Sequence, residues 1–265
     1  MPGLKREAGN DKKKRRGSWI LPAALAVVFA VSAGILYYDM SYLPEQTRQQ
    51  VKQLQEDFPG ENLPEEPAGE KSLSQLVVLS AIQEQYPDVQ GWISIPGTDI
   101  SYPVLQGSAT EPEYYLHRNY KGEYDINGSI FLQWDCDVLN GENLVIYGHN
   151  MKSGAMFGNL DKYAGKDYCE SHESVLLQTV DGVQSYKVAA VLKADVSMFQ
   201  FQQTQFAGTD GITDYVSQAK ALQLFENGVS ASDDTGQVLT LVTCSYEWEN
   251  ARMIVVAVRE NDEQK

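Results

Sequence analysis

The sequence predicts a mainly β protein: an eight-stranded β-barrel with peripheral helices, preceded by an N-terminal transmembrane helix. Three observations carry that reading. Eight short apolar runs broken by turn residues follow one another from residue 91 to residue 259. A charge-free apolar stretch, "SWILPAALAVVFAVSAGILYY", occupies residues 18–38 behind a basic cluster. Between the sixth and seventh runs, one segment switches to helical spacing.

The first 17 residues hold seven Lys/Arg against Glu7 and Asp11, a balance of +5, so the rest of the chain carries −20 of the net −15. So acidic a body excludes nucleic acid as a natural partner, because that binding rests on neutralising phosphates. The apolar stretch that follows is 21 residues long and ends in aromatics. That length spans a bilayer as a helix, with the basic tail held on the cytoplasmic side and everything after Asp39 outside. A cleaved signal peptide is the rival reading, with Val31-Ser32-Ala33 as its processing site. The apolar run continues past that point, which favours an uncleaved anchor.

Residues 44–58 read as a short helix with Val51, Leu54 and Phe58 on one side, and "PGENLPEEPAGEKS" at 59–72 reads as a tether. A second short helix is expected with Leu73, Leu76, Val77 and Ala81 inward, stopping before Pro87. The strands begin with "WISI" and "ISYPVL", joined by the turn "PGTD"; Pro103 points to an edge or a bulge. "GSIFLQW", "NLVIY", "SVLLQTV", "SYKVAAVLKA", "VLTLVT" and "RMIVVAVR" complete eight, enough to close a barrel. In residues 212–226, Ile212, Tyr215, Val216, Ala219 and Leu222 fall on one helical face, and Asn227-Gly228 supplies the stop.

Chemistry concentrates in "QVLTLVTCSYEWENARMIVVAVR", residues 237–259. Read as a hairpin, it sets Cys244 at the end of one strand beside Arg252 at the start of the next. Arg252 shares a face with Ile254, Val256 and Val258, so its desolvation asks for a partner or a task. A thiol becomes a nucleophile as thiolate and needs a nearby base or cation. Of three histidines, His117 in "YYLHRNY" and His172 in "CESHES" read as structural or solvated. His149 follows "ENLVIYG" and precedes the glycine-punctuated "NMKSGAMFG", so it too belongs at a rim; spacing leaves catalytic and structural roles equally open. Asp135 and Asp137 are acid candidates, but no pattern puts either behind His149. Arginine would stabilise an oxyanion rather than act as a base.

"TLVTC" at 240–244 with Arg252 downstream, and "YGHNM" at 147–151, resemble the sortase family, membrane-anchored cysteine transpeptidases of Gram-positive bacteria. "GWISIPGTDISYPVLQG" (91–107), "YYLHRNYKGEYDINGSIFL" (114–132) and "GAMFGNLDKY" (154–163) resemble class B in particular, as does a helix between the sixth and seventh strands. The resemblance implies a sortase-type barrel. Residues 1–17 would be a cytoplasmic tail, 18–38 the anchor, 39–72 an extracytoplasmic linker and 73–262 the catalytic domain. It implies that Cys244 attacks the carbonyl after Thr in the C-terminal sorting signal of a secreted protein, giving a thioacyl-enzyme. His149 would protonate the leaving amine and deprotonate an incoming peptidoglycan-precursor amine, and Arg252 would steady the oxyanion. Leu116, Tyr147 and Thr243 would line the peptide groove. The signal would be NPQTN-like or S/P-P-x-T-G-like. Another extracytoplasmic cysteine peptidase or an L,D-transpeptidase is the alternative.

Neither H-E-x-x-H nor a paired Cys/His motif is present, so no metal or other cofactor is expected. Cys136 and Cys169 match no catalytic motif. Phe199 and Phe201, in "VSMFQFQQTQFAGTDG", fit either the groove floor or the core.

Overall fold

The computed structural model describes residues 19–60, 76–207, 210–232, 234–245 and 248–260. The chain divides into two compact units, residues 1–42 and 43–265. In the first, helix α1 (Ile20–Tyr37) is followed by a π-helical turn, Tyr38–Tyr42. None of the α1 side chains is buried, and an 18-residue window reaches a mean hydropathy of 2.3. The helix is long and apolar enough to cross a membrane, as the sequence predicts; Ser18, where the expected span begins, lies outside the described residues.

In the second unit, helix α2 (Leu43–Asp57) buries Val51 and Leu54 as expected, together with Pro44 and Thr47. The stretch read as a linker is thus partly a helix belonging to the same unit as the barrel. Most of the expected tether, and Leu73, lie outside the described residues. The second helix starts later than its apolar spacing suggests: α3 spans Leu79–Gln85. The cause is a small extended bridge, in which the Gly60 amide donates to the Leu76 carbonyl (2.8 Å) and the Val78 amide to the Phe58 carbonyl (2.9 Å). With those backbone groups engaged, Leu76 and Val77 run extended, and Leu79 and Ile82 become the buried face of α3.

All eight expected strands are present: β1 (Val89–Ser94), β2 (Ser101–Gln106), β3 (Ile130–Leu132), β4 (Asn143–Tyr147), β5 (Ser174–Thr179), β6 (Gly182–Ala194), β7 (Val238–Cys244) and β8 (Arg252–Arg259). They close into a barrel in the order β1-β2-β3-β4-β7-β8-β6-β5. Pro103 is on no edge, since β2 pairs with both β1 and β3. It is tolerated because pairing to β3 begins only at Val104, so its missing N–H withdraws no rung on that side. The register shift lies in the partner strand, between Val89 and Gly91.

Two parallel pairs, β2 with β3 and β4 with β7, break the antiparallel run. A parallel pair brings two strand C-termini to the same rim. Whatever follows Tyr147 in β4 therefore emerges beside the end of β7.

Between β5 and the earlier strands lie a 3₁₀ turn, Leu160–Ala164, and helix α4 (Lys166–Ser171). Helix α5 (Gly211–Ala221) sits between β6 and β7 and buries Tyr215, Val216 and Ala219. It ends short of the expected Glu226. Gln223 instead bridges Leu192, and the Leu224 amide donates to the Val191 carbonyl at 2.8 Å, so strand-like bonding to β6 draws the chain out of the helix. Phe199 and Phe201 are buried core residues, Phe199 packing on Tyr215 with ring centroids 4.9 Å apart.

Candidate active site

The β7–β8 hairpin pairs Cys244 directly with Arg252, and Arg252 on its other side pairs with Ala194 at the end of β6. The Ser245 amide donates to the Ala251 carbonyl at 2.8 Å, so the hairpin closes immediately beyond that pair. Both side chains are half-buried. Arg252 Nη1 donates to the Ala251 carbonyl at 3.0 Å, and among the described residues no carboxylate lies within salt-bridge distance of its guanidinium. A guanidinium not neutralised by a neighbouring acid keeps its field for an arriving anion.

His149 reaches the same rim through the parallel pair. Tyr147 lies opposite Val242 at the last rung of the parallel pair, so the next step of the chain, Gly148 and then His149, leaves β4 beside the end of β7. Two bonds hold that step: the Gly148 amide donates to the Val242 carbonyl at 3.1 Å, and the Thr243 hydroxyl to the Gly148 carbonyl at 2.7 Å. Position 148 needs glycine for closeness: a Cβ there would overlap Ile130 Cδ1 and the Phe157 ring. Beyond it, Asn150 Nδ2 donates to the Cys244 carbonyl (2.7 Å) and to Asp161 Oδ2 (2.7 Å), tying the segment after His149 to the backbone of Cys244 itself.

Behind His149 stands a carbonyl rather than a carboxylate. Nε2 of His149 lies 2.7 Å from the Leu116 oxygen, which only accepts, so Nε2 carries the proton and Nδ1 is left for proton transfer. The His117 ring stacks on His149, centroids 5.3 Å apart. Desolvation lowers the pKa of His149, the Leu116 bond opposes that shift, and His117 adds to it. The imidazole is therefore mostly neutral near neutral pH.

Of the expected groove residues, Leu116 and Tyr147 are half-buried beside this rim, and the Tyr147 hydroxyl donates to Gln133 Oε1 at 2.6 Å. Thr243 is only 2% exposed, and its hydroxyl donates to the Gly148 carbonyl. The sequence reading assigns no role to Asn150 and takes His117 as structural or solvated. Asn150 follows His149 directly in "GHN", whereas the proximity of His117 depends on a crossing of loops that no spacing encodes.

The other thiols are differently placed. Cys136 is buried, its Sγ donating to the Asn143 carbonyl at 3.4 Å, and burial pushes its pKa up to about 12. Cys169 is likewise buried and raised to about 11. Both are free rather than joined. Neither supplies a thiolate near neutral pH, whereas Cys244 is half-buried.

Thiol nucleophilicity at a barrel rim, beside an imidazole and a guanidinium, is the chemistry this arrangement is equipped for; the molecule is a barrel of the cysteine-enzyme kind. The sortase domain model matches residues 93–260. Sortase B of Listeria monocytogenes is 34% identical over 181 residues, covering 67% of this chain and 72% of that protein. Sortase B of Staphylococcus aureus is 27% identical over 182 residues, 68% of this chain and 73% of that protein. Among solved structures, Bacillus anthracis sortase B in complex with AAEK1 aligns with a TM-score of 0.67 and 27% identity, over 82% of this chain and 96% of its own. Clostridium perfringens sortase B gives 0.63 and 27%, over 69% and 99%. The chain belongs to the sortase family, and to its class B, whose members are cysteine transpeptidases.

Proposed function

We propose that this chain cleaves the C-terminal sorting signal of a secreted protein after Thr and joins the new carboxyl end to a peptidoglycan-precursor amine. One observation supports the assignment of roles: Cys244 and Arg252 face each other in register, and the parallel β4–β7 pair delivers the segment carrying His149 to the same rim.

Sγ of Cys244, as thiolate, attacks the scissile carbonyl carbon. A C–S bond forms and the carbonyl electrons move to oxygen, where the Arg252 guanidinium stabilises the oxyanion. As the tetrahedral intermediate collapses, the C–N bond breaks and His149, protonated at that stage, gives its Nδ1 proton to the leaving amine. The thioacyl-enzyme then meets the acceptor amine, whose proton returns to Nδ1 as its nitrogen displaces the thiolate. Because desolvation lowers the His149 pKa, only a minor fraction of the imidazole is protonated at any moment near neutral pH.

Leu116 and Tyr147 border the peptide groove, with Thr243 contributing through its backbone. An NPQTN-like or S/P-P-x-T-G-like signal fits the Thr-directed reaction. Residues 1–17 form a cytoplasmic tail, 18–38 the anchor, 39–72 the extracytoplasmic linker and 73–262 the catalytic domain; the charge-free α1 behind a basic flank supports that orientation.

Mass spectrometry of sorting-signal peptides incubated with the enzyme tests this. Cys244→Ala should abolish cleavage between Thr and the following residue while the fold persists. Undiminished turnover by that variant, or turnover of peptidoglycan stem peptides with no sorting peptide present, would overturn the proposal.

A further inference from the structure

Helix α2 reaches both of the loops that meet at His149. The first is the 107–129 crossover, which carries Leu116 and His117. Thr47 of α2 is 5% exposed, and its hydroxyl lies between Asp125 Oδ2 (3.1 Å) and the Leu43 carbonyl (3.2 Å) while accepting from Asn127 Nδ2 (2.9 Å). Asp125 passes the contact on. Its amide donates to the His117 carbonyl at 3.0 Å, and its own carbonyl accepts from the Gly128 amide at 3.0 Å. Gly128, at φ 59°, presses against the Leu116 carbonyl so closely that a Cβ would overlap it. That carbonyl is the one holding His149 Nε2. The second loop follows His149 itself: Arg48 Nη2 of α2 reaches the Ser153 carbonyl at 3.5 Å.

A helix that merely covered the barrel would need only its apolar face, here Val51 and Leu54. A buried threonine hydroxyl is costly unless bonded, and its partners here sit on the turn beneath the histidine support.

We propose that α2 is a positioning element of the active site, in which Thr47 fixes the 107–129 loop so that the Leu116 carbonyl and the His117 ring hold His149 in its reactive orientation. This deepens the acid–base reading of His149 and rests on it. When the loop slackens, the imidazolium loses the Leu116 oxygen as acceptor and becomes harder to form. The histidine then titrates lower and presents Nδ1 less often to the reacting nitrogen.

The full chain in detergent micelles, labelled with ¹³Cε1-histidine, allows two readings on Thr47→Val and Thr47→Ser: the His149 titration by NMR, and kcat and KM on a sorting peptide. Thr47→Val should move the His149 titration to lower pH and cut kcat about tenfold with KM little changed, while Thr47→Ser, keeping the hydroxyl, should restore both. A folded Thr47→Val with the parent His149 titration, or with the parent kcat, overturns the proposal even where its thermal midpoint has dropped. If Thr47→Val fails to fold, Asp125→Asn is read by the same two criteria. A parent that turns over no sorting peptide counts against the functional reading alone, since the titration still decides whether α2 governs His149.

Discussion

The Thr243 hydroxyl donates to the Gly148 carbonyl at 2.7 Å, so the residue before Cys244 is bonded to the residue before His149. The link lies just beyond the last rung of the parallel β4–β7 pair, beside the Gly148 amide bond to the Val242 carbonyl and the Asn150 bond to the Cys244 carbonyl. If Cys244 and His149 act as proposed, removing the link should loosen their spacing more than it disturbs the barrel. Thr243→Val should cost about 1 kcal/mol of stability, seen in urea denaturation. It should also lower kcat about tenfold or more with a smaller change in KM. Thr243→Ser should recover both, and parent kcat in a folded Thr243→Val would show that the bond is only structural.

Gly148 is constrained from the other side. A methyl group at this position meets Ile130 and the Phe157 ring, both in the core. Gly148→Ala should therefore destabilise the protein by about 1–3 kcal/mol, the usual cost of overpacking. Because the overlapping atoms belong to packed side chains, the strain should be relieved by displacing the backbone toward His149. A tenfold loss of transpeptidation in a variant that still unfolds cooperatively is the expected outcome, measured by peptide turnover beside a thermal melt.

The strands and the hairpin were legible because they depend on local pattern: alternation, turn residues, and antiparallel geometry that makes Cys244 and Arg252 neighbours. What lay outside the sequence were contacts between distant segments. The parallel pairing of β4 with β7 has no local signature, yet it delivers the segment carrying His149 to the rim where β7 ends. The Leu116 oxygen is a backbone atom, so no residue type announces it behind the histidine. The early end of α5 follows from Gln223 and Leu224 bonding to β6, which outweighs a helical apolar spacing that continues to Leu222. Pro103 looked like an edge marker because edge strands are the commonest place a missing N–H is harmless. A β3 partner that begins one residue later serves equally well.

Arg252 should behave as a geometric group and not only as a charge. It stands opposite Cys244 with no carboxylate of the described residues within salt-bridge distance, the placement expected of the oxyanion-stabilising group proposed above. Arg252→Ala should reduce kcat about 10²–10³-fold, the range for loss of an oxyanion donor. Arg252→Lys keeps the charge but not the planar fork, and should recover only a small part of that loss. Full recovery by lysine would reduce the arginine to a source of potential. Steady-state kinetics on one sorting peptide, with all variants checked for folding, separates the cases.

The three thiols should separate cleanly by reactivity and by pH. A maleimide or iodoacetamide probe at neutral pH should modify half-buried Cys244 in the native protein and leave Cys136 and Cys169 untouched until the protein unfolds, as peptide mapping would report. Burial raises Cys136 to about 12 and Cys169 to about 11 in the folded state, whereas an unfolded thiol ionises near about 8.5. A folded pKa above the unfolded one means that the unfolded chain releases its protons first as the pH rises. The stabilisation is thus complete below about pH 8.5 and is lost progressively between that point and the folded values. Thermal midpoints measured from pH 7 to pH 10 should fall along the alkaline limb. In Cys136→Ala and Cys169→Ala that slope should flatten, even though each variant starts from a lower midpoint because a buried side chain has been trimmed. An unchanged slope in both would mean that other groups, such as buried Tyr163 and Tyr186, whose hydroxyls are also raised by burial, dominate the alkaline loss.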